Sequence, residues 1–552
     1  MTDALSLVLE SEKRLFVGLA GPGTGKSHTF KTFVKSSEYN GKKILVLSFI
    51  NKLVDDLKND FADFRNVEVS TLHAFAMQEY IKHSEGETEL DEGLDDIITQ
   101  DYAFLLEESL DYRNKYYESS ITTDEEAFYK SRSAYYGNGK TLHSFNSVIY
   151  ALNQLFQSNN DLLPTYDLIL VDEFQDFNEL EWQFISTLNL KSKVVVVGDD
   201  DQSLYSWKSA QPNLIRDLFA DETTDSFSLD YCYRSTQVIV DAVNSLIVNA
   251  KSAGLLTGRV DEKQYMYPAG RDDKDELSAK FSKIDFLPAI NGSLLSYQLA
   301  ARIKRDTQGS TDKRILVLAP SFYKQALYDG LISQGLNVVE FELFGAEKHK
   351  TIKHKHLIES FKTLETRKTD TLSLRKVLHI YADEVMQKDL IQRCATENKK
   401  IWLCLPQDIK NLIEADIALF KKVRQGKDAL SNDELVRLNQ IFNLKNLLSK
   451  MINGFGSHTK SGLEVEMTTV MSSKGLSADF VYYIGVDDNL NVDKVSGELT
   501  DSKICEFLVG ITRAKEKLTL FSFRDESPKL VELISEHVNR IESSRGRQRT
   551  RT

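Results

Sequence analysis

The sequence predicts an α/β protein whose apolar strands deliver polar side chains to their C-terminal ends. Three observations predict this class. The apolar run Leu15 to Leu19 leads into the glycine-rich stretch Ala20 to Ser27, and a segment without helix breakers follows. The apolar run Tyr166 to Val171 ends in the adjacent carboxylates of Asp172-Glu173. A third run, Lys193 to Val197, continues into Gly198-Asp199-Asp200-Asp201-Gln202.

The stretch Ala20-Gly21-Pro22-Gly23-Thr24-Gly25-Lys26-Ser27 has the pattern of a phosphate-binding loop between a strand and a helix. Its glycines allow backbone N–H groups to curl around a phosphate, and the helix N-terminus adds a positive dipole. Lys26 is expected to reach the β- and γ-phosphates, and the Ser27 hydroxyl to ligate Mg²⁺. The nucleotide-binding residues predicted in this loop are Gly21, Gly23, Thr24, Gly25, Lys26 and Ser27.

The paired carboxylates after the second run suit two different tasks. Asp172 is placed to hold a metal ion, and Glu173 to activate a water molecule. Far downstream, Gly510-Ile511-Thr512-Arg513-Ala514 precedes another apolar strand, Leu518 to Phe523. Each of these segments alone fits an ordinary loop, but in this order and spacing they form a set.

The set resembles the superfamily 1 DNA helicases of the UvrD/Rep type, and the resemblance covers nearly the whole chain. The segments that match the family motifs are Ala20–Ser27, Ser48–Lys52, Ser70–Phe75, Asp172–Asp176, Gly198–Trp207, Asp230–Ser235, Thr469–Leu476 and Val509–Ala514. The resemblance implies two RecA-like P-loop NTPase domains with parallel sheets. Each domain is expected to carry a mainly helical insertion, with ATP in the cleft between the domains.

The resemblance assigns a role to each matching residue at the nucleotide. ATP and Mg²⁺ are the implied cofactors, with Ser27 and Asp172 holding the metal and Glu173 activating the water. Gln202 is expected to sense the γ-phosphate. Further residues are implied to stabilise the departing phosphate, to stack on the base or to line the site: Arg234, Arg513, Tyr233 and Gly475.

The same resemblance implies a track for single-stranded DNA. The residues expected to face the strand are Phe49, Asn51, His73 and Trp207. Aromatic rings stack on any base, which suits binding without sequence preference. Trp207 can also be interpreted as a buried core residue. Its polar neighbours Ser206, Lys208 and Ser209 favour an exposed ring.

The chain departs from the family pattern at four places, two of which concern recognition of the base and the ribose. No Gln precedes Ala20, where the family usually has one that reads adenine. Met471 stands for His, Ser477 for Glu, and Cys232 for Asn. The phosphate-directed residues are all retained. Hydrolysis is therefore better supported by the sequence than selectivity for adenine.

Length and composition predict a multidomain globular protein. The chain has 552 residues, of which 41% are apolar and 27% charged. The first core domain is predicted at 1–75 and 160–225, with an acidic insertion at 76–159. The second is predicted at 226–344 and 459–535, with a reduced helical insertion at 345–458 and a disordered basic tail at 536–552. No run approaches a membrane span, and the four scattered cysteines fit a reducing, cytoplasmic compartment.

Charge is unevenly distributed along this acidic chain, whose net charge is -13. Residues 85–111 contain eleven carboxylates and no Lys or Arg. This stretch is interpreted as a solvated face or as a docking surface for a basic protein, since duplex DNA is repelled there. The basic cluster Lys348 to His356 fits either a phosphate contact or a solvated helix face.

The predicted function is ATP-driven movement on single-stranded DNA, 3′ to 5′ by family analogy, with single-stranded or tailed duplex DNA as partner. One alternative is a DNA-stimulated ATPase or sensor subunit that does not unwind by itself. Another is a binding module with a vestigial ATPase, against which the retained phosphate-directed residues argue. No nuclease constellation appears outside the motor motifs.

Overall fold

The computed structural model describes residues 4–48, 51–202, 212–260, 263–290, 292, 294–308, 312–340, 354–425, 430–442 and 463–541. Its strands are β1 (Leu15–Ala20), β2 (Ile44–Ser48), β3 (Val67–Thr71), β4 (Thr88–Leu90), β5 (Thr141–His143), β6 (Leu168–Val171), β7 (Val194–Gly198), β8 (Asp225–Leu229), β9 (Ile284–Leu287), β10 (Ile315–Leu318), β11 (Asn337–Glu340), β12 (Glu464–Thr468), β13 (Ala478–Ile484), β14 (Ala514–Phe521) and β15 (Val538–Arg540).

The α-helices of the same residues cover both core domains and both insertions. They are α1 (Ala4–Glu10), α2 (Lys26–Lys35), α3 (Asn51–Asp60), α4 (Leu72–His83), α5 (Leu94–Leu106), α6 (Tyr112–Tyr117), α7 (Thr123–Gly137), α8 (Phe145–Ser158), α9 (Glu179–Asn189), α10 (Pro212–Ala220), α11 (Gln237–Ser252), α12 (Asp272–Lys280), α13 (Leu295–Thr307), α14 (Lys324–Ser333), α15 (His354–Thr366), α16 (Thr371–Val377), α17 (Glu384–Thr396), α18 (Ile401–Cys404), α19 (Gln407–Gln425), α20 (Asn432–Phe442), α21 (Asp488–Asn491), α22 (Asp501–Ile511) and α23 (Lys529–Glu532).

Two parallel sheets form the centres of the two core domains, which confirms the predicted fold class. The first sheet has the order β3-β2-β6-β7-β1-β8, and the second has the order β11-β12-β10-β13-β14-β9-β15. In the first sheet β7 lies between β1 and β6, and all three are almost wholly buried. Because parallel strands end at one edge, the glycine-rich loop, Asp172 and Gln202 are brought to the same side.

The division between the core domains lies later in the chain than the sequence predicts. β8 pairs with β1 in the first sheet, so the predicted boundary at 226 is wrong. Its sequence, Asp-Ser-Phe-Ser-Leu, has too few apolar residues to signal a buried strand. The Phe227 ring packs directly over Gly18 of β1, where an added Cβ would lie 2.6 Å from the ring.

The second sheet extends into the segment that the sequence assigns to a disordered tail. β15 pairs with β9 at the sheet edge, so the prediction of a tail from 536 is wrong for residues 536–541. The error arises because β15 is a three-residue, largely exposed edge strand among charged and polar residues. Residues 542–552 of the predicted tail lie outside the described part of the chain.

The two insertions pack against each other through a continuous apolar core. Helices α4–α8 and the β4–β5 pair lie between β3 and β6, whereas α15–α20 lie between β11 and β12. Helix α5 packs against α17, and α7 packs against α16. The shared core includes buried side chains from both insertions, among them Leu94, Ile98, Phe104, Leu374, Val377 and Ile391.

Most carboxylates of the acidic stretch 85–111 are engaged within the chain, so the expectation of a free acidic face is wrong for them. Asp95 and Asp101 are buried. Basic partners from outside the stretch include Lys376 for Asp91, Arg113 for Asp96, Arg132 and Arg375 for Asp101, Lys388 for Glu107 and the His356 imidazole for Glu92. Four of these partners belong to the second insertion, which supplies the positive charge that the stretch itself lacks.

Two further expectations are only partly covered by the structure. Of the basic cluster Lys348 to His356, only the His356 side chain is described, and it lies 3.2 Å from Glu92. Residues 348–353 lie outside the described part of the chain, and His354 and Lys355 are described only as backbone positions of α15. Among the described helices, none combines the length and the hydropathy that a membrane span needs.

Candidate nucleotide site

The glycine-rich loop joins β1 to α2 at the carboxyl edge of the first sheet. Helix α2 begins at Lys26, and Gly25 before it has the left-handed conformation (φ 95°) that favours glycine. Thr24 braces the loop, because its Oγ1 donates to the Gly21 carbonyl over 2.9 Å. The first turn of α2 therefore points its backbone N–H groups and the exposed Ser27 toward the edge of the sheet.

The strand β6 delivers Asp172 and Glu173 beside this loop. Both side chains are buried, and Glu173 has φ 53°, a strained conformation for a residue other than glycine. Lys26 Nζ lies 3.5 Å from Glu173 Oε1. Burial, helped by the charge of Glu173, raises the pKa of Asp172. Burial also acts to raise the pKa of Glu173, but Lys26 and Lys474 outweigh it and hold that pKa below its ordinary value.

A chain of side-chain hydrogen bonds connects Glu173 to Gln202. Gln175 Nε2 donates to Glu173 Oε2 over 2.6 Å, and Gln175 Oε1 accepts from the Asp199 amide at 2.9 Å. Gly198 makes room for this contact, since an added Cβ would lie 2.6 Å from Gln175 Oε1. Gln202 Nε2 then donates to Asp199 Oδ2 over 2.6 Å. The ends of β6 and β7 are thereby fixed relative to each other.

Two arginines from the second core domain reach the same place. Arg513 is buried, and its Nη2 donates to Gln202 Oε1 over 3.1 Å. Arg234 packs on the glycine-rich loop, where a Cβ added at Gly23 would lie 2.4 Å from its own Cβ. Burial and the positive charge of Arg234 lower the pKa of Arg513 to about 9. An anion beside these guanidinium groups relieves that repulsion, as a nucleotide phosphate does.

Lys474 is a site residue that the sequence analysis missed. Its buried ammonium forms an ion pair with Asp176 and donates to the Gln202 carbonyl over 3.1 Å. It also lies 3.9 Å from Glu173 Oε2. Burial raises the pKa of Asp176 to about 6, although Lys474 acts in the opposite direction. In the sequence, the indication for Lys474 is its position immediately before Gly475, which is itself a predicted site residue. In the structure Gly475 has φ 83°.

The side of the loop expected to face the base carries Tyr233. Tyr233 is 41% exposed, and its backbone N–H donates to the Gly23 carbonyl over 2.9 Å. The Arg271 guanidinium lies 5.6 Å from the centre of the ring. Tyr233 is thus held beside the loop and remains partly exposed to solvent. Arg271 is a second residue here that the sequence analysis did not single out.

Cys232, which departs from the family pattern, is part of a buried contact between the two core domains. The Tyr265 hydroxyl donates a hydrogen bond to the Pro22 carbonyl over 2.8 Å and lies 3.0 Å from Cys232 Sγ. Tyr265 also packs on Gly21, where an added Cβ would lie 2.8 Å from the ring. All four cysteines are free and buried.

The residues predicted to hold Mg²⁺ have suitable chemistry. Ser27 offers a hydroxyl and Asp172 a carboxylate, which are the hard oxygen ligands that Mg²⁺ prefers. Asp172 is buried with its Oδ1 accepting from the Glu173 amide at 2.9 Å. A buried carboxylate whose pKa is raised by burial and a like charge gains from a nearby cation. Ser27 and Asp172 therefore fit the metal.

Among the four residues predicted to face DNA, the structure describes the side chain of His73 alone. The side chain of His73 is 18% exposed, with Nε2 3.7 Å from Glu181 Oε1 and the ring 5.3 Å from that of Phe145. Phe49 and Trp207 lie outside the described residues, and Asn51 is described only as the first backbone position of α3. The nucleotide residues converge at one cleft, whereas His73 packs on α8 and α9.

Comparison with known proteins agrees with this arrangement. A family model described as "AAA domain" matches residues 5–208. A probable DNA helicase II homolog from Mycoplasma capricolum is 23% identical, over 94% of this chain and 83% of its own length. The ATP-dependent DNA helicase Rep of Buchnera aphidicola is 22% identical, over 91% and 90%. This chain is similar to helicases of the UvrD/Rep type. DNA helicase II of Escherichia coli, also similar to this chain, is 26% identical over 69% of the chain and 59% of its own length.

Proposed function

We propose that this UvrD/Rep-type protein hydrolyses ATP to move along single-stranded DNA in the 3′ to 5′ direction and to open tailed duplexes. One observation carries the proposal. Arg513 of the second domain donates to Gln202 of the first, between the loop that follows β1 and the carboxylates that follow β6. A residue pair that spans the cleft at this point can transmit the presence of a phosphate from one domain to the other.

Hydrolysis follows from the placement of the side chains. Lys26, which contacts Glu173 over 3.5 Å, turns to the phosphates when ATP binds, and this frees the Glu173 carboxylate. Glu173 then accepts a proton from the water that attacks the γ-phosphorus. Arg234 and Arg513 stabilise the charge that develops on the phosphate as the bond to the leaving oxygen breaks. Mg²⁺ bound by Ser27 and Asp172 supplies additional charge neutralisation at the phosphate oxygens.

Movement follows from coupling of the cleft to the DNA track. Contacts of Arg513, Lys474 and Arg234 with the first domain depend on the charge in the cleft, so ATP favours closure and its loss favours opening. Each domain then alternates its grip on the single strand. We propose a cytoplasmic location, because four free cysteines suit a reducing compartment. DNA repair, recombination or phage defence is the biological context that we propose for the activity.

The test is an ATPase assay with and without single-stranded DNA, followed by unwinding of tailed duplexes with 3′ or 5′ overhangs. Lys26→Ala serves as the inactive control. Stimulation by DNA and opening from the 3′ overhang support the proposal. Stimulation without strand displacement favours the alternative of a DNA-stimulated ATPase subunit. Absence of ATP hydrolysis contradicts the proposal and favours a binding module.

A further inference from the structure

We propose that Lys263 is a positioning residue that holds Gln202 in place for hydrolysis. The proposal rests on the proposed ATPase function. Lys263 lies in the segment between α11 and β9, on the second-domain side of the cleft. Its side chain is 2% exposed and reaches the aspartates that end β7 in the first domain. Its ammonium is bound by these three aspartates, so its electrostatic effect on Gln202 acts through them.

The Lys263 ammonium has one carboxylate acceptor for each of its three N–H groups. Its three N–H groups meet three carboxylates: an ion pair with Asp199, a contact of 2.8 Å with Asp200 Oδ1 and one of 2.7 Å with Asp201 Oδ2. These aspartate oxygens lie within 4.8 Å of one another, the geometry of a cation site. The cation at this site is the lysine of the chain itself. Three carboxylates so close together repel one another, and the ammonium offsets that repulsion.

Two arginines complete the charge balance at different carboxylates. Arg259 Nε donates to Asp201 Oδ2 over 2.9 Å, and its Nη2 donates to the Lys263 carbonyl over 3.1 Å. Arg216 Nε donates to Asp200 Oδ2 over 3.1 Å. The three basic side chains therefore neutralise the three aspartates. Among these basic groups, Lys263 is the one with a described ion pair to Asp199.

Asp199 links this cluster to the catalytic residues. Its Oδ1 faces Lys263, while its Oδ2 accepts from Gln202 Nε2 over 2.6 Å. The other end of the Gln202 amide accepts from Arg513. Lys263 thus fixes Asp199, Asp199 fixes the orientation of the Gln202 amide, and that orientation presents Oε1 to Arg513. Loss of the ammonium leaves the aspartates repelling one another and frees the amide to rotate.

Lys263→Met tests this chain of contacts against a matched control. Arg216→Met removes one positive charge from the same cluster but leaves the contact between Lys263 and Asp199 intact. We expect Lys263→Met to lower kcat for ATP at least tenfold and to change KM less than threefold. We expect Arg216→Met to keep kcat within threefold of wild type. Equal losses in the two variants overturn the proposal.

A double-mutant comparison separates positioning from general destabilisation. If Lys263 acts through Gln202, Lys263→Met added to Gln202→Ala lowers kcat no further than Gln202→Ala alone. Additive losses overturn the proposal. If Lys263→Met does not fold, Lys263→Arg replaces it: a planar guanidinium keeps the charge but cannot direct three N–H groups to one point. A kcat reduced at least threefold is then expected, and an unchanged kcat contradicts the proposal.

An activity-independent measurement distinguishes failure of this proposal from failure of the proposed function. Amide hydrogen exchange of the peptide containing Asp199 to Gln202 is compared among wild type, Lys263→Met or Lys263→Arg, and Arg216→Met. Faster exchange in the Lys263 variant alone supports the positioning role even in a chain without ATPase activity. Unchanged exchange in that variant overturns it, whereas an inactive wild type refutes the proposed function.

Discussion

Asp101 offers the sharpest test of the contact between the two insertions. The carboxylate is fully buried, and its Oδ2 accepts from Arg132 Nε at 2.9 Å and from the Tyr136 hydroxyl at 2.5 Å. Its Oδ1 accepts from Arg375 Nε at 3.0 Å. Arg132 belongs to the first insertion and Arg375 to the second. Asp101→Asn therefore leaves two buried guanidinium groups without their shared counter-charge.

The expected cost follows from the burial of all three groups. Removing one partner of a buried ion pair costs about 3–5 kcal/mol, because the remaining charge stays uncompensated. With a urea m-value of roughly 1–3 kcal/mol/M, the midpoint for the insertions falls by about 1 M or more. A chain with several domains need not unfold in one step, so the shift must be assigned to this region.

Hydrogen exchange of α16 and α17 during a urea titration makes that assignment. Asp101→Asn is expected to raise exchange in both helices at a urea concentration where wild type remains protected. The matched control is Lys388→Met, which breaks a solvent-exposed pair with Glu107 at the same contact. Exposed pairs contribute little, so no resolvable shift is expected for it. A wild-type midpoint and wild-type protection in Asp101→Asn refute the reasoning.

Three further predictions concern the activity. Lys26→Ala is expected to weaken nucleotide binding, whereas Glu173→Gln retains binding and stops hydrolysis. Equilibrium binding and ATPase assays check this, and near-normal turnover by Glu173→Gln contradicts the assignment of Glu173 as the base. GTP or dATP is expected to support turnover within about tenfold of ATP, a barrier difference of ~1.4 kcal/mol. The reason is that no Gln precedes Ala20 and that Ser477 stands where the family has a ribose-binding Glu. Strict dependence on ATP in the same ATPase assay shows that adenine is recognised by other residues. The isolated chain is expected to unwind long duplexes poorly because its second insertion is reduced in size. Single-turnover assays on tailed duplexes of increasing length measure this, and efficient opening of long duplexes contradicts it.

The parts of the fold that the sequence predicted are those with strong local patterns. The strands β1, β6 and β7 are apolar runs that end in glycine or carboxylates, and each pattern is complete within about ten residues. The strands β8 and β15 lack such a pattern, and their places depend on Phe227 over Gly18 and on pairing with β9. Local composition cannot reveal either contact.

The parts of the site that the sequence missed depend on contacts between distant segments. Lys263 pairs with Asp199, which lies 64 positions earlier, and Lys474 pairs with Asp176 across 298 positions. The same reason explains the misread acidic stretch, because Arg375 lies 274 positions from Asp101. A charge run without nearby counter-charges looks solvated in sequence, although the fold supplies its partners from the second insertion.

The ATPase rate of the purified chain, measured with and without single-stranded DNA, decides whether this cleft drives movement along DNA. We expect Mg²⁺-dependent hydrolysis that rises several-fold with single-stranded DNA and is abolished by Lys26→Ala. A rate that does not respond to DNA, or that persists unchanged in Lys26→Ala, contradicts the claim that this cleft drives movement along DNA.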